Sequence, residues 1–299
     1  MDQAMVARVR RFNRTVTERI GVLEDHYLSR DLPLGEARVL WEIGADGCDV
    51  RVLRSRLDLD SGYLSRLLRS LEAAGLVTVE PSPDDKRVRT ARLTPAGVDE
   101  RSVLDERSDA LAWSLLSPLG DTQRTKLADA MATVERLLTA GLVELDIVDP
   151  ADPDAVRCVQ AYFAEIDGRF DTGFDPTITP SLDVHRPPTG LFVVARLRSE
   201  PIGCGGLAFH DPDPPDIKRM WVSPSARGLG VGRRLLTELE RLAAAHGADT
   251  VRLETNRVLT EAISMYRSAG YVEVAPFNDE PHAHHWFSKH LDDADRRPG

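Results

Sequence analysis

Cysteine is scarce in this chain: three thiols in 299 residues, at positions 48, 158 and 204. An odd number at such wide spacing neither frames disulfides nor supplies the paired ligands of a zinc site, so buried free thiols are expected. Long apolar runs are missing too. No stretch approaches the roughly 20 residues of a membrane span, and Met1 to Arg8 has no signal-peptide core. The cytoplasm is therefore the expected compartment, with no membrane partner. Internal repeats and a Gly/Ser-rich or Pro-rich tether are also lacking, so two cores in a chain of this length would abut almost directly.

An excess of basic residues is the last absence. With 38 Lys and Arg against 48 Asp and Glu, the formal charge is −10, which opposes nucleic-acid binding by the whole surface. The imbalance is uneven. Residues 1–143 hold 21 basic against 23 acidic side chains, and residues 144–299 hold 17 against 25. The near-neutral half can still present one basic face, and its cations cluster: Arg51, Arg54, Arg56, Arg66 and Arg69, then Lys86, Arg87, Arg89 and Arg92.

What the chain does contain is concentrated between Lys218 and Leu236. A strand-like run, Asp216 to Val222, stops at Pro224. Gly228, Gly230 and Gly232 then open a helix whose first turn carries Arg233 and Arg234. Amides gathered at a helix start attract anions, and alternate glycines let main chain approach a ligand, so a pyrophosphate suits this turn. A Walker loop does not fit, because Arg233 follows Gly232 where Lys-Ser/Thr is required. A dinucleotide fingerprint needs its third glycine at the position of Arg233, and the charged run 216–222 is unlike a doubly covered parallel strand. Glu254, at about the ribose-binding spacing, is the feature that keeps that alternative open.

The segment resembles the coenzyme-binding core of the GNAT acyltransferases, Arg/Gln-x-x-Gly-x-Gly/Ala after a strand ending Val-x-Pro. Val222, Pro224, Arg227, Gly230 and Gly232 match it, and Asn256, Ala262, Tyr266, Gly270 and Tyr271 follow in the family's order and spacing. The resemblance spans about residues 144–299. It implies an α/β fold with a mixed, largely antiparallel sheet flanked by helices, and acetyl-CoA as cosubstrate without a metal. By the same resemblance Met220, Trp221 and Val222 would pair with the pantetheine arm, and the Val222 N–H would face the thioester oxygen. The amides of Arg227, Gly228, Leu229, Gly230, Val231, Gly232 and Arg233 would hold the pyrophosphate, with Arg233 and Arg234 adding charge, while Asn256 and Tyr266 complete the coenzyme site. Tyr266 takes the position of the general acid, suited to it because a free phenol stays protonated at neutral pH. For the base, Asp216 stands where many relatives have Glu, and His210 is a second candidate. His282, His284, His285 and His290 lack firm ligand spacing and are expected to wall the acceptor pocket, not to bind metal.

The first half reads as helices interrupted by one hairpin. Apolar residues recur at helical spacing over about 4–28, Pro33 opens a second helix, and two short helices follow near 49–56 and 60–74. The last of these has Leu64, Leu67, Leu68 and Leu71 on one face and Ser61, Tyr63, Ser65, Arg66 and Arg69 on the other. Residues 76–80 and 88–94 form a hairpin with a polar tip carrying Asp85, Lys86 and Arg87. Long helices are expected over 95–117 and 121–139. This order resembles a winged helix-turn-helix regulator of the MarR type, carried by Leu71-Glu72-x-x-Gly75-Leu76-Val77, Asp85-x-Arg87 and Leu93-Thr94-x-x-Gly97.

The physical reading agrees with double-stranded DNA as a partner. Arg66 and Tyr63 on an outward helix face suit the major groove, and a basic wing with Arg89 behind it suits the flanking minor groove, where the resemblance has Asp85 steer Arg87. Helices 4–28, 95–117 and 121–139 correspond to the family's dimer interface, with Leu104, Leu111, Leu115, Leu116, Leu119, Leu127, Met131, Val134, Leu137 and Leu138 as apolar stripes; packing within one chain would explain the same stripes. The expected domains are 1–143, binding DNA and forming a homodimer, and 144–299, transferring acetyl from acetyl-CoA to a small-molecule amine. Two alternatives stay open: a regulator that only senses acetyl-CoA, and an acetyltransferase whose first domain only dimerises. The short junction leaves mechanical coupling between the halves open as well.

Overall fold

The computed structural model describes residues 2–20, 28, 31–81, 88–170, 173–176 and 180–291. It comprises two compact units, Met1–Ala132 and Thr133–Gly299. The division falls inside one helix, α6 (Asp121–Ala140), eleven residues before the boundary expected at 143/144. At the end of that helix the Arg234 guanidinium donates to Ala140 O at 2.8 Å and Val143 O at 2.7 Å.

In the first unit, α1 (Gln3–Arg19), α2 (Leu34–Ile43), α3 (Val50–Leu57), α4 (Ser61–Ala73) and α5 (Pro95–Leu116) accompany a sheet of order β1-β3-β2, with β1 Cys48–Asp49, β2 Val77–Pro81 and β3 Arg89–Leu93. The core joins Leu40, Leu53, Leu64, Leu71 and Leu104. Asp60 starts α4 by accepting from Tyr63 N at 2.8 Å, and Gly75 ends it at a φ of 71°. The Leu93-Thr94-x-x-Gly97 motif has a packing cause. Thr94 caps α5 through Gly97 N at 3.0 Å and donates to Gly75 O at 2.7 Å, while a Cβ on residue 97 would stand 2.0 Å from Leu76 O. Leu104 is a correction to the dimer stripe: it is fully buried in this unit's own core. The α1 helix, expected to reach about residue 28, is described to Arg19, and residues 21–27 lie outside the described set.

In the second unit seven strands run in the order β4-β5-β6-β7-β8-β10-β9. They are β4 Val143–Val148, β5 Gly190–Leu197, β6 Glu200–Ala208, β7 Asp216–Val222, β8 Thr250–Thr255, β9 Val272–Val274 and β10 His285–His290. Every neighbouring pair is antiparallel except β7 and β8. Helices cover both faces, as the alternation along β5 requires. Val193 and Ala195 pack toward α8 (Val231–Ala245) and α9 (Thr260–Ser268), whereas Phe192 and Val194 pack with Ala155, Cys158 and Val159 of α7 (Pro153–Arg169). Among the described residues no helix is long and apolar enough to cross a membrane.

Candidate active site and DNA-contact helix

The parallel junction of β7 and β8 makes the site. Their ladder has one register, Asp216↔Arg252, and beyond it the strands part. A bulge helps, because β7 shifts register against β6 between Cys204 and Gly206, with Arg219 at a φ of 55°. Ser223 N–H donates to Ile202 O at 2.8 Å, so alternation turns the Val222 amide away from β6 and toward the gap.

The glycine turn ends this strand. Gly230 caps α8 at a φ of 77°, a left-handed conformation with nothing within 4 Å of where a Cβ would stand. The amides of Gly228, Gly230, Val231, Gly232 and Arg233 have no acceptor among the described residues, which leaves a row of donors at a helix N-terminus. That cradle fits the pyrophosphate of acetyl-CoA. The side chains around it have other partners. Arg227 donates to Val222 O at 3.3 Å and to both Glu165 oxygens at 2.6 Å, and Arg233 donates to Ser268 Oγ at 2.8 Å. Arg234, as noted, is spent on two backbone carbonyls. Leu229 packs against the core.

Glu165 escaped the sequence reading. Besides Arg227 it accepts from Trp221 Nε1 at 2.9 Å and Arg169 at 3.3 Å. Burial pushes its carboxyl up, but the hydrogen bonds from Arg227 and Trp221 outweigh burial and hold it below the usual range.

Beside the gap lies a cavity of about 520 Å³ lined by residues of α7, β7, β8, α9 and the segment 278–283. Tyr266 reaches it from α9 and is 5% exposed. Burial raises its phenol well above the ordinary 10, so it stays a proton donor. Asp216 and His210, the two sequence candidates for a base, are partners. His210 Nε2 lies 3.2 Å from Asp216 Oδ2, while Asp216 Oδ1 accepts from Arg252 Nε at 2.6 Å. A carboxylate oxygen accepts, so the ring donates from Nε2–H, and in the neutral imidazole the lone pair is then on Nδ1. Lys218 is held by Glu254, which also accepts from Asn278 at 3.4 Å. Asn256 has both ends of its amide engaged, donating to His282 O at 2.8 Å and accepting from Val258 N at 3.1 Å. Of the four C-terminal histidines, His282 lines the cavity. His285 is turned to Glu273 at 2.7 Å and His290 pairs in β10 with Thr250, which corrects the expectation that all four wall the pocket.

In the first unit Ser61, Tyr63, Ser65, Arg66 and Arg69 are all exposed on α4. Arg66 stacks over the Tyr63 ring at 5.5 Å, Ser65 donates to Ser61 O at 2.7 Å and Arg69 to Ser65 O at 3.2 Å. Arg89 donates to Val79 O at 3.3 Å beside the hairpin tip. Asp85, Lys86 and Arg87 lie outside the described residues.

Comparison with known proteins finds a family match in each half of the chain. Residues 148–271 match the Acetyltransferase (GNAT) family and residues 30–88 the MarR family. The chain is 39% identical over 87 residues to an IAA acetyltransferase of Azospirillum brasilense, covering 29% of this chain and 57% of that protein, so it spans just over half of that relative's length. It is 33% identical to the N-alpha-acetyltransferase RimI of Mycobacterium tuberculosis, covering 40% of this chain and 74% of that one. Against the multiple antibiotic resistance protein MarR of Salmonella typhimurium the identity is 32%, with 39% and 78% covered. The chain thus belongs to the MarR family through its first unit and to the Acetyltransferase (GNAT) family through its second.

Proposed function

We propose that this protein is a homodimeric regulator that binds a palindromic DNA operator and also acetylates a small-molecule amine. The observation that carries the enzymatic part is one cavity, lined by both the His210–Asp216 pair and Tyr266, beside the strand gap and the unpaired amides. The Gly228–Arg233 amides bind the pyrophosphate and the Val222 N–H polarises the thioester carbonyl. His210 Nδ1 takes the proton from the attacking amine, with Asp216 positioning the ring. As the new C–N bond forms and the C–S bond breaks, Tyr266 donates its proton to the departing thiolate. The IAA acetyltransferase relative is consistent with a small acceptor.

The DNA-binding part rests on the exposed Tyr63–Arg66 face of α4, whose opposite face is leucine. Dimerisation rests on apolar side chains left uncovered on the long helices. Neither α1 nor α6 buries any residue, and Phe12, Trp113, Met131, Leu137 and Leu138 stand exposed.

Thiol release from acetyl-CoA against an amine panel tests the enzyme, and sedimentation with selection of bound duplexes tests the regulator. Acetyl-CoA binding without turnover would convert the second unit into a sensor. Dimerisation without duplex binding would reduce the first to an assembly module.

A further inference from the structure

The cavity contains a cation that the proposed chemistry leaves unused. Lys218 is neutralised by Glu254 and lies 3.9 Å from Asp216, but Arg219 has no carboxylate within 4 Å among the described residues. Its guanidinium donates to Pro180 O and lies over the Phe163 ring at 5.2 Å, on the cavity wall. Burial pushes it below the usual arginine range, the sign of a charge removed from water without full compensation. The left-handed backbone at Arg219 belongs to the bulge, so the fold keeps a strained non-glycine residue there. The wall beside it is aromatic. Phe163 and Phe174 have centroids 5.2 Å apart, and His282 lies 5.3 Å from Phe174 and 5.4 Å from Phe170.

Resting on the acetyltransferase reading, we infer that the acceptor is a free amino acid with an apolar or aromatic side chain, its carboxylate clamped by Arg219 and its side chain packed on Phe163, Phe170, Phe174 and His282. A planar guanidinium has five N–H donors, of which one is given to Pro180 O among the described residues, and it matches a carboxylate in two-point fashion. The aromatic faces exclude water and favour an apolar group. Glu280, also on the wall and close enough to act on Arg219 electrostatically, forms no ion pair with it and can meet the ammonium of an arriving zwitterion.

The test compares thiol release by the full chain with phenylalanine, leucine and methionine, each beside its carboxamide and its decarboxylated amine. Wild type favours the amino acid over both carboxylate-free forms by about ten- to hundredfold in kcat/KM, the value of one charged hydrogen-bonded contact. In Arg219→Gln that ratio falls toward one, and Arg219→Lys keeps part of it; acetyl-CoA protection against thermal melting certifies that each variant is folded. Should a variant not fold, the wild-type ratio alone decides. Equal wild-type rates for acid, amide and amine, or an undiminished ratio in folded Arg219→Gln, overturn the carboxylate clamp and leave acetyl transfer standing. Acetyl-CoA binding with no thiol release for any amine overturns the acetyltransferase reading and this inference with it.

Discussion

His185 offers a quantitative check on the interior of the acetyltransferase unit. It ends a single helical turn, Leu182–His185, ahead of β5, is 1% exposed, and donates from Nδ1 to Leu207 O at 2.9 Å. Burial lowers its pKa, the Leu207 carbonyl opposes that in part, and the cations Arg219 and Lys218 add to the lowering; the result is a fall from the ordinary 6.5 to about 4. A depression of that size corresponds to about 3 kcal/mol. The sign follows from proton uptake. Between pH 6.5 and 4 the unfolded chain binds a proton that the folded one refuses, so the contribution is complete above 6.5 and is lost as pH falls toward 4. His185→Asn keeps an amide donor near Nδ1 but cannot titrate. Urea unfolding is followed by tryptophan fluorescence over this pH range, taking the transition that acetyl-CoA shifts as that of the second unit. Wild type should lose up to about 3 kcal/mol more than the variant on acidification. Carboxylates titrate in both proteins, so stabilities that fall in parallel would refute a neutral, buried His185.

Three further outcomes are expected. Tyr266→Phe retains the ring against Tyr271 and Phe287 but removes the proton, so kcat falls by roughly ten- to ten-thousand-fold while acetyl-CoA still binds; a wild-type turnover number would remove the phenol from the mechanism. Gly230→Glu forces a side chain into the left-handed cap and sets a carboxylate beside the cradle, which weakens acetyl-CoA by at least about ten- to hundredfold in calorimetry, and an unchanged affinity would place the pyrophosphate elsewhere. Arg66→Ala costs about 1–3 kcal/mol at one base of a selected operator with little change in salt dependence, whereas a loss equal across all sequences would make Arg66 a phosphate contact.

Much of the fold is legible in the chain because its signals are local. Asp60, Thr94 and Gly75 mark helix ends through hydrogen bonds to residues a few positions away, and the leucine face of α4 follows from a 3.6-residue period. Gly97 is different. Its motif spacing is visible, but the reason for glycine is the Leu76 carbonyl 2.0 Å from where a Cβ would stand, a contact between the residue before β2 and a later helix. The bond from Arg234 to Ala140 O at the end of α6 is hidden for the same reason, because its donor lies far along the sequence.

The site divides along the same line between backbone and side chain. The amide cradle is a property of the glycine turn itself, so its sequence announces it. Arginine partners are not local, and spacing does not show them: Arg227 pairs with Glu165 on α7, and Arg234 donates to the carbonyls of Ala140 and Val143. Asp216 and His210 looked like rivals because six residues separate them, and the turn between β6 and β7 makes them one pair. Arg219 carried no motif at all. An arginine on a charged strand has no sequence signal for whether a carboxylate awaits it; that depends on Glu254 having taken Lys218 and Arg252 having taken Asp216, two pairings across strands. The cavity wall is built from what these long-range pairings leave over, which is why the glycine turn can be read along the chain and the cavity requires the fold.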